Sequence, residues 1–277
     1  MNVSCLIKNL CDNALPALST ECIIKNEYSG ILATDLFSLN ALLGSMIEQN
    51  VVLFLNNRRS LWDDKKEWEE YHFIRDNESF PDVRLVKRND RNDRNDSILG
   101  IELKSWFILS KEGKPSFRFK TASETCGEND LLCIVPWFLS NVVCGNPVLV
   151  KPYVVSAKDA AKAVKEHWEK EGNRSVEAPK GNEPSKTNYK AEEDSSNNFG
   201  RLARTGIMDD YIKDVLEMPI LGIPAKNWMN FLRVHTNKAT LQDIKNKIIS
   251  NAKIPKYQKI EGILDQLREY IEKLPKV

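Results

Sequence analysis

The sequence is poor in the features that mark several functional classes. Its six cysteines (Cys5, Cys11, Cys22, Cys126, Cys133 and Cys144) form no Cys-x-x-Cys pair, and its three histidines (His72, His167 and His235) form no His-x-x-x-His pair. Neither a zinc site nor a disulfide framework is expected from such spacing. Cys133 and Cys144 stand among apolar residues and read as small core residues, and no histidine is assigned a catalytic role. The net charge is only +1, with 40 Lys+Arg against 39 Asp+Glu. That excludes an overall basic coat, so any contact with nucleic acid must come from local clusters. The opening MNVSCLIKNLCDN lacks a basic stretch followed by a long apolar run, and no secretory signal is expected. The longest apolar stretches, VVLFL and LLCIVPWFL, are too short to span a bilayer. The expectation is a soluble, cytoplasmic protein with no membrane partner.

What is present suits a folded α/β domain. A chain of 277 residues with 42% hydrophobic and 29% charged side chains can bury a substantial core. Leu36, Leu39, Leu42, Leu43 and Met46 fall close to helical spacing within 34–49, capped by Thr34 or Asp35. NVVLFLN, 50–56, either ends that helix or forms a short strand, and DDKKEWEEYHFI, 63–74, reads as a charged helix or loop. FPDVRLVKR, 80–88, alternates like a half-buried strand, and SILGIELKSWFILS, 97–110, reads as a long apolar one. LLCIVPWFL, 131–139, and NPVLVKPYVV, 146–155, look like two further strands. SAKDAAKAVKEHWEKEG, 156–172, reads as a helix with Ser156 as its cap and Gly172 as its stop.

Residues 173–200 are poor in large apolar side chains and rich in Asn, Ser, Pro and Gly, the composition of a flexible loop or linker. Beyond them, 201–277 read as a helical C-terminal part. From Lys226 to Val277 there are eleven Lys+Arg against five Asp+Glu, so this tail is basic while the rest is acidic. The expected fold is a mixed β-sheet flanked by helices, with a core over 1–172, a linker over 173–200 and a helical region over 201–277 suited to DNA recognition or dimerisation.

The chemistry is concentrated around one junction. RNDRNDRND, 88–96, is a turn-favouring triplet repeat that reads as an exposed hairpin tip. It leads directly into Ile101-Glu102-Leu103-Lys104. Side chains alternate along a strand, so Glu102 and Lys104 share a face. If 80–88 and 97–110 pair as a hairpin across the repeat, the Asp82 carboxylate can approach Glu102. Two such carboxylates repel unless a cation lies between them, and hard oxygen donors suit Mg²⁺. That ion would polarise a phosphate, while Lys104 would stabilise developing charge or position and help deprotonate the attacking water. Asp93 and Asp96 are rival first acids, nine and six residues before Glu102, a cramped span for such a pairing.

Pro81-Asp82, a spacer, then Glu102-Leu103-Lys104 resembles the PD-(D/E)xK nuclease motif found in many type II restriction endonucleases. The resemblance covers roughly 35–172. It implies a restriction-endonuclease-like fold and Mg²⁺-dependent cleavage of double-stranded DNA, often by a homodimer. It makes Asp82 and Glu102 metal ligands and Lys104 the catalytic lysine, and it places an additional metal-associated acid on the preceding helix, where Glu48 stands. Lys111, Lys114, Arg118 and Lys120 follow the strand closely and could track phosphates. Arg201 and Arg204 could read guanine edges in the groove. Two alternatives stay open: a repair or structure-specific nuclease of the same fold, and a DNA-binding protein whose acid–lysine strand is coincidental.

Overall fold

Leu39, Leu43, Ile47, Val51, Phe54 and Leu55 are all buried, a stripe that recurs every three or four residues and therefore lies along one side of a helix. The computed structural model describes residues 2–28, 39–76, 79–88, 97–110, 115–142, 144–171, 174–179, 187–192 and 198–234. In it this stripe forms one continuous helix, α3 (Leu39–Asn57). The β-branched pair Val51–Val52 does not end it, because burial at Val51 and Leu55 continues in phase, and packing overrides their weak strand preference. Ahead of it, α1 (Val3–Asn9) and α2 (Leu15–Glu21) are joined by a π-helical segment, Leu10–Ala14.

The strands are β1 (Tyr71–Arg75), β2 (Val83–Lys87), β3 (Leu99–Phe107), β4 (Leu131–Leu139), β5 (Pro147–Leu149) and β6 (Tyr153–Ser156). Together they make a mixed sheet in the order β1-β2-β3-β4-β5, with β6 also paired to β4. β1, β2 and β3 run antiparallel and β3–β4 is parallel. β5 and β6 bond to opposite ends of one edge of β4, β5 to 137–139 and β6 to 131–134. The expected single strand over 146–155 is thus two, parted at Lys151-Pro152, where proline supplies no amide to a ladder. The 63–74 segment is turns followed by β1, neither a helix nor only a loop. β1 is an edge strand whose outer side is partly covered: the Asn56 amide donates to Phe73 O at 2.8 Å and accepts from Phe73 N at 2.9 Å, which blunts an otherwise open edge.

α3 lies against the odd-numbered side of β3. Asn40 Oδ1 accepts from Phe107 N at 2.9 Å and from Ser105 Oγ at 3.2 Å. The even-numbered side meets the chain at 115–119, where Trp106 and Phe117 contact edge-on at 5.4 Å. α4 (Ala157–Lys170) packs on β4 and β6, and Ser156 Oγ caps it through Asp159 N at 3.3 Å, as its sequence requires. The expected mixed sheet flanked by helices is therefore observed. No helix among the described residues is long and apolar enough to cross a membrane.

The reading of 173–200 as a linker needs correction for its described residues. β7 (Val176–Glu177) and β8 (Lys190–Ala191) pair, and Val176, Tyr189 and Phe199 are buried in the core. Three well-spaced apolar anchors suffice to dock a polar segment, and average composition conceals them. Further on, α5 (Asp209–Glu217) and α6 (Ala225–Val234) flank a small hairpin, β9 (Pro219–Ile220) and β10 (Ile223–Pro224). Its turn residues Leu221 and Gly222 both have positive φ, the twist two-residue hairpins favour. This unit docks on β6: Tyr153 Oη donates to Ile207 O at 3.0 Å and Tyr211 Oη to Lys151 O at 2.6 Å. The helices expected beyond residue 235, the RND residues 89–96 with Asp93 and Asp96, and Lys111 and Lys114 lie outside the described residues.

Candidate active site

The β2–β3 register pairs Val83 with Ile101, Arg84 with Gly100 and Leu85 with Leu99. Continued by one position, it sets Asp82 opposite Glu102. The backbone ladder stops at Val83, and a side chain takes it over: Asp82 Oδ2 accepts from Leu103 N at 2.8 Å. The two carboxylates anticipated from the motif therefore meet at the open end of the hairpin. Lys104 projects from the same face of β3 as Glu102. Its ammonium donates to Glu102 Oε1 and lies 3.9 Å from Asp82 Oδ2. Glu102 is buried at 8% exposure, and the Asp82 and Lys104 side chains are each about a quarter exposed.

These groups perturb one another. Burial pushes the Asp82 carboxyl up and the adjacent Glu102 charge adds to it; the Lys104 ammonium and the Leu103 amide oppose this, leaving Asp82 at about 6. For Lys104, burial alone would favour the neutral amine. The Glu102 and Asp82 charges, the hydrogen bond to Glu102 and the more distant Glu48 charge outweigh it, so its pKa is raised. The lysine is held as an ammonium between two acids.

Two residues that the motif does not contain fix this geometry. Gly100 accepts the ring of Pro81 in direct contact: a Cβ there would lie 2.1 Å from Pro81 Cγ and 2.8 Å from Asp130 Oδ1. Only a residue without a side chain lets Pro81, and hence Asp82, approach β3. Asp130 then ties three elements together. Its Oδ1 accepts from Gly100 N at 2.7 Å, its Oδ2 from Gly127 N at 2.8 Å, and its carbonyl from Ala157 N at 2.9 Å. A glycine inside an apolar strand is a readable sign of close backbone approach; nothing in the sequence marks Asp130.

Glu48 stands on α3 near the site, but its carboxylate is bound by Arg75, with Oε2 2.7 Å from Nη2 and 3.0 Å from Nε. Arg75 pairs in register with Val83, so this ion pair adjoins the Asp82 turn. Among the described residues no three acids, histidines or cysteines cluster in a metal-holding arrangement. Arg118 is exposed and forms an isolated backbone bridge with Arg201, which brings these two distant basic residues together. Arg204, also exposed, closes the 3₁₀ turn Leu202–Arg204 that follows. No disulfide joins any of the six cysteines. Cys133 is wholly buried in the core, and Cys144 is half-buried and packs against it. No family model matches the chain, and no curated protein matches it either.

Proposed function

We propose that the chain is a Mg²⁺-dependent endonuclease of the PD-(D/E)xK type with a restriction-endonuclease-like fold, a type II restriction enzyme acting on double-stranded DNA as a cytoplasmic homodimer. One observation carries this reading. Asp82 and Glu102 face each other across an antiparallel strand pair, and Lys104 projects beside them. Two abutting carboxylates form a hard-oxygen donor set, and the Glu102 charge adds to the upward push that burial gives Asp82. The residues therefore fit a divalent cation, held by Asp82 and Glu102. When bound, Mg²⁺ supplies Lewis-acid neutralisation of the phosphate. Glu48, kept in place by Arg75, adds negative potential behind Lys104.

The chain's own groups do the rest. Leu103 N fixes one oxygen of Asp82 and so orients the carboxylate. Lys104, held protonated, is suited to stabilising charge on the scissile phosphate or orienting the attacking water. Its raised pKa favours these roles over that of proton acceptor. Arg118, Arg201 and Arg204, with Lys114, are the proposed DNA contacts.

Cleavage of plasmid and phage DNA with Mg²⁺, with EDTA and by Glu102→Ala and Lys104→Ala proteins tests the reading. Discrete fragments that need Mg²⁺ and vanish in both variants are expected. A smear with the same dependencies would retain the nuclease and reject restriction, and no cleavage by folded wild-type protein would reject both.

A further inference from the structure

A second site lies away from these carboxylates, between the last turns of α4 and the chain at 198–205. It is a cavity of about 260 Å³ lined by His167, Trp168, Glu171, Arg174, Arg201 and Arg204, among others. Pockets that hold drug-sized ligands run from roughly 300 to 1,000 Å³, so this one is of a size for a small ion. Among the described residues three guanidiniums and one carboxylate line it.

Local structure aims the arginines inward. Arg201 and Arg204 are three residues apart across a 3₁₀ turn closed by Arg204 N donating to Arg201 O at 3.0 Å. Side chains at that spacing eclipse in a 3₁₀ turn and leave on one side. The turn is anchored by Leu202 N on Phe117 O at 3.3 Å. Gly200 precedes it at φ +83°, where a Cβ would lie 2.7 Å from Lys120 Cγ and 3.2 Å from the Phe119 carbonyl oxygen. Arg174 lies over the Trp168 indole at 4.7 Å. That ring is itself held by its Nε1 donating to Glu192 O at 3.3 Å and by an edge contact with Phe199.

Among the described residues neither Arg201 nor Arg204 forms an ion pair with a carboxylate. Arg201 Nε is buried and has no hydrogen-bond partner, a costly condition for a charged donor. Glu171, 3.6 Å from His167, and the carbonyl end of α4 work against an anion, but the permanently charged, forked guanidiniums of Arg201 and Arg204 outweigh them.

We propose that this pocket is a binding site for a phosphate dianion, either free phosphate (inorganic or on a mononucleotide) or the terminal phosphate of a nucleic-acid strand. Forked N–H donors match the oxygens of a tetrahedral oxyanion two at a time, and Arg201 and Arg204 both line the cavity where it would sit. The site does not depend on the nuclease reading.

Titration calorimetry of the full chain with inorganic phosphate, at ionic strength matched with chloride, is the test. Saturable 1:1 binding is expected, weakened at least tenfold in Arg201→Gln and in Arg204→Gln and tightened several-fold in Glu171→Gln. Arg204 and Glu171 are exposed, so their variants remain informative if Arg201→Gln fails to fold. Absence of saturable binding, or binding unchanged in Arg204→Gln and Glu171→Gln, would overturn the proposal. A mononucleotide and short duplexes with and without a 5′-phosphate then assign the source. A preference for the phosphorylated duplex that is lost in Arg204→Gln identifies a strand end. Binding of the mononucleotide, with no such preference between duplexes, identifies a free phosphate.

Discussion

Replacing Asp82 by Asn should stabilise the fold at neutral pH while abolishing DNA cleavage. In the native state the Asp82 carboxyl is pushed from its ordinary 3.8 to about 6, first by burial and then by Glu102. A raised carboxyl pKa means that the folded state holds the proton more tightly than the unfolded chain. Stability from this group is therefore complete below about pH 4 and is lost as pH rises through about 6. The whole difference corresponds to roughly 3 kcal/mol, of which about 2 develops between pH 4.5 and pH 8. Asp82 is about a quarter exposed, and solvent screening should reduce the effect to roughly 1–2 kcal/mol.

An asparagine is almost isosteric, and its Oδ1 can still accept from Leu103 N. It carries no charge to repel Glu102, and Lys104 keeps its contact with Glu102. Urea denaturation of both proteins at pH 4.5 and pH 8 isolates the contribution of this site, because titrating groups that do not interact with Asp82 cancel in the difference between variant and wild type. The variant should gain on the wild type by roughly 1–2 kcal/mol over that interval, equivalent to a few degrees in Tm for a chain of this size. A difference independent of pH, or a variant that loses ground at pH 8, would refute the account of Asp82 as a carboxyl held above its ordinary pKa by burial and by Glu102.

Two further perturbations test how the site is held. Gly100→Ala places a methyl group 2.1 Å from Pro81 Cγ and should cost about 1–3 kcal/mol in urea denaturation. It should also lower the cleavage rate by on the order of a hundredfold, because a displacement of about 1 Å in a catalytic group has that effect; wild-type stability and rate would discard Pro81–Gly100 contact as the positioning device. Asp130→Ala removes the acceptor of Gly100 N and Gly127 N and should cost about 1–3 kcal/mol for the polar groups left unsatisfied. Because Asp130 reaches Asp82 only through Gly100 and Pro81, cleavage by the folded fraction, measured at reduced temperature, should fall less than in Gly100→Ala.

Much of the site was legible because it is local in the strand. The alternation of Ile101, Glu102, Leu103 and Lys104 settles which side chains share a face, and a hairpin over 82–102 leaves few ways to place Asp82. α4 was legible for the same reason, since its cap and apolar period lie within fifteen residues. What escaped depends on partners far apart in the chain. β1 shows only Phe73 buried, so its own residues scarcely declare a strand, and the clearest mark of its edge is the distant Asn56 amide. Arg75 reaches Glu48 across 27 residues, and Asp130 reaches Gly100 across 30; a pairwise pattern in one sequence has no period at such separations.

The same reasoning explains why the arginine pocket was only half seen. Arg201 and Arg204 stand out by composition, but Arg174 and His167 come from a different element, and only the docking of Phe199 against Trp168 brings the groups together. The apolar anchors Val176, Tyr189 and Phe199 thereby acquire a second consequence. They convert a polar segment that looks like a tether into one wall of a charged cavity. Residues that bury the segment and residues that line the cavity are interleaved along it, so a composition average over 173–200 loses both signals at once. A substitution such as Phe199→Ala should accordingly disturb the pocket through packing, leaving the strand pair that carries Asp82 and Glu102 formed.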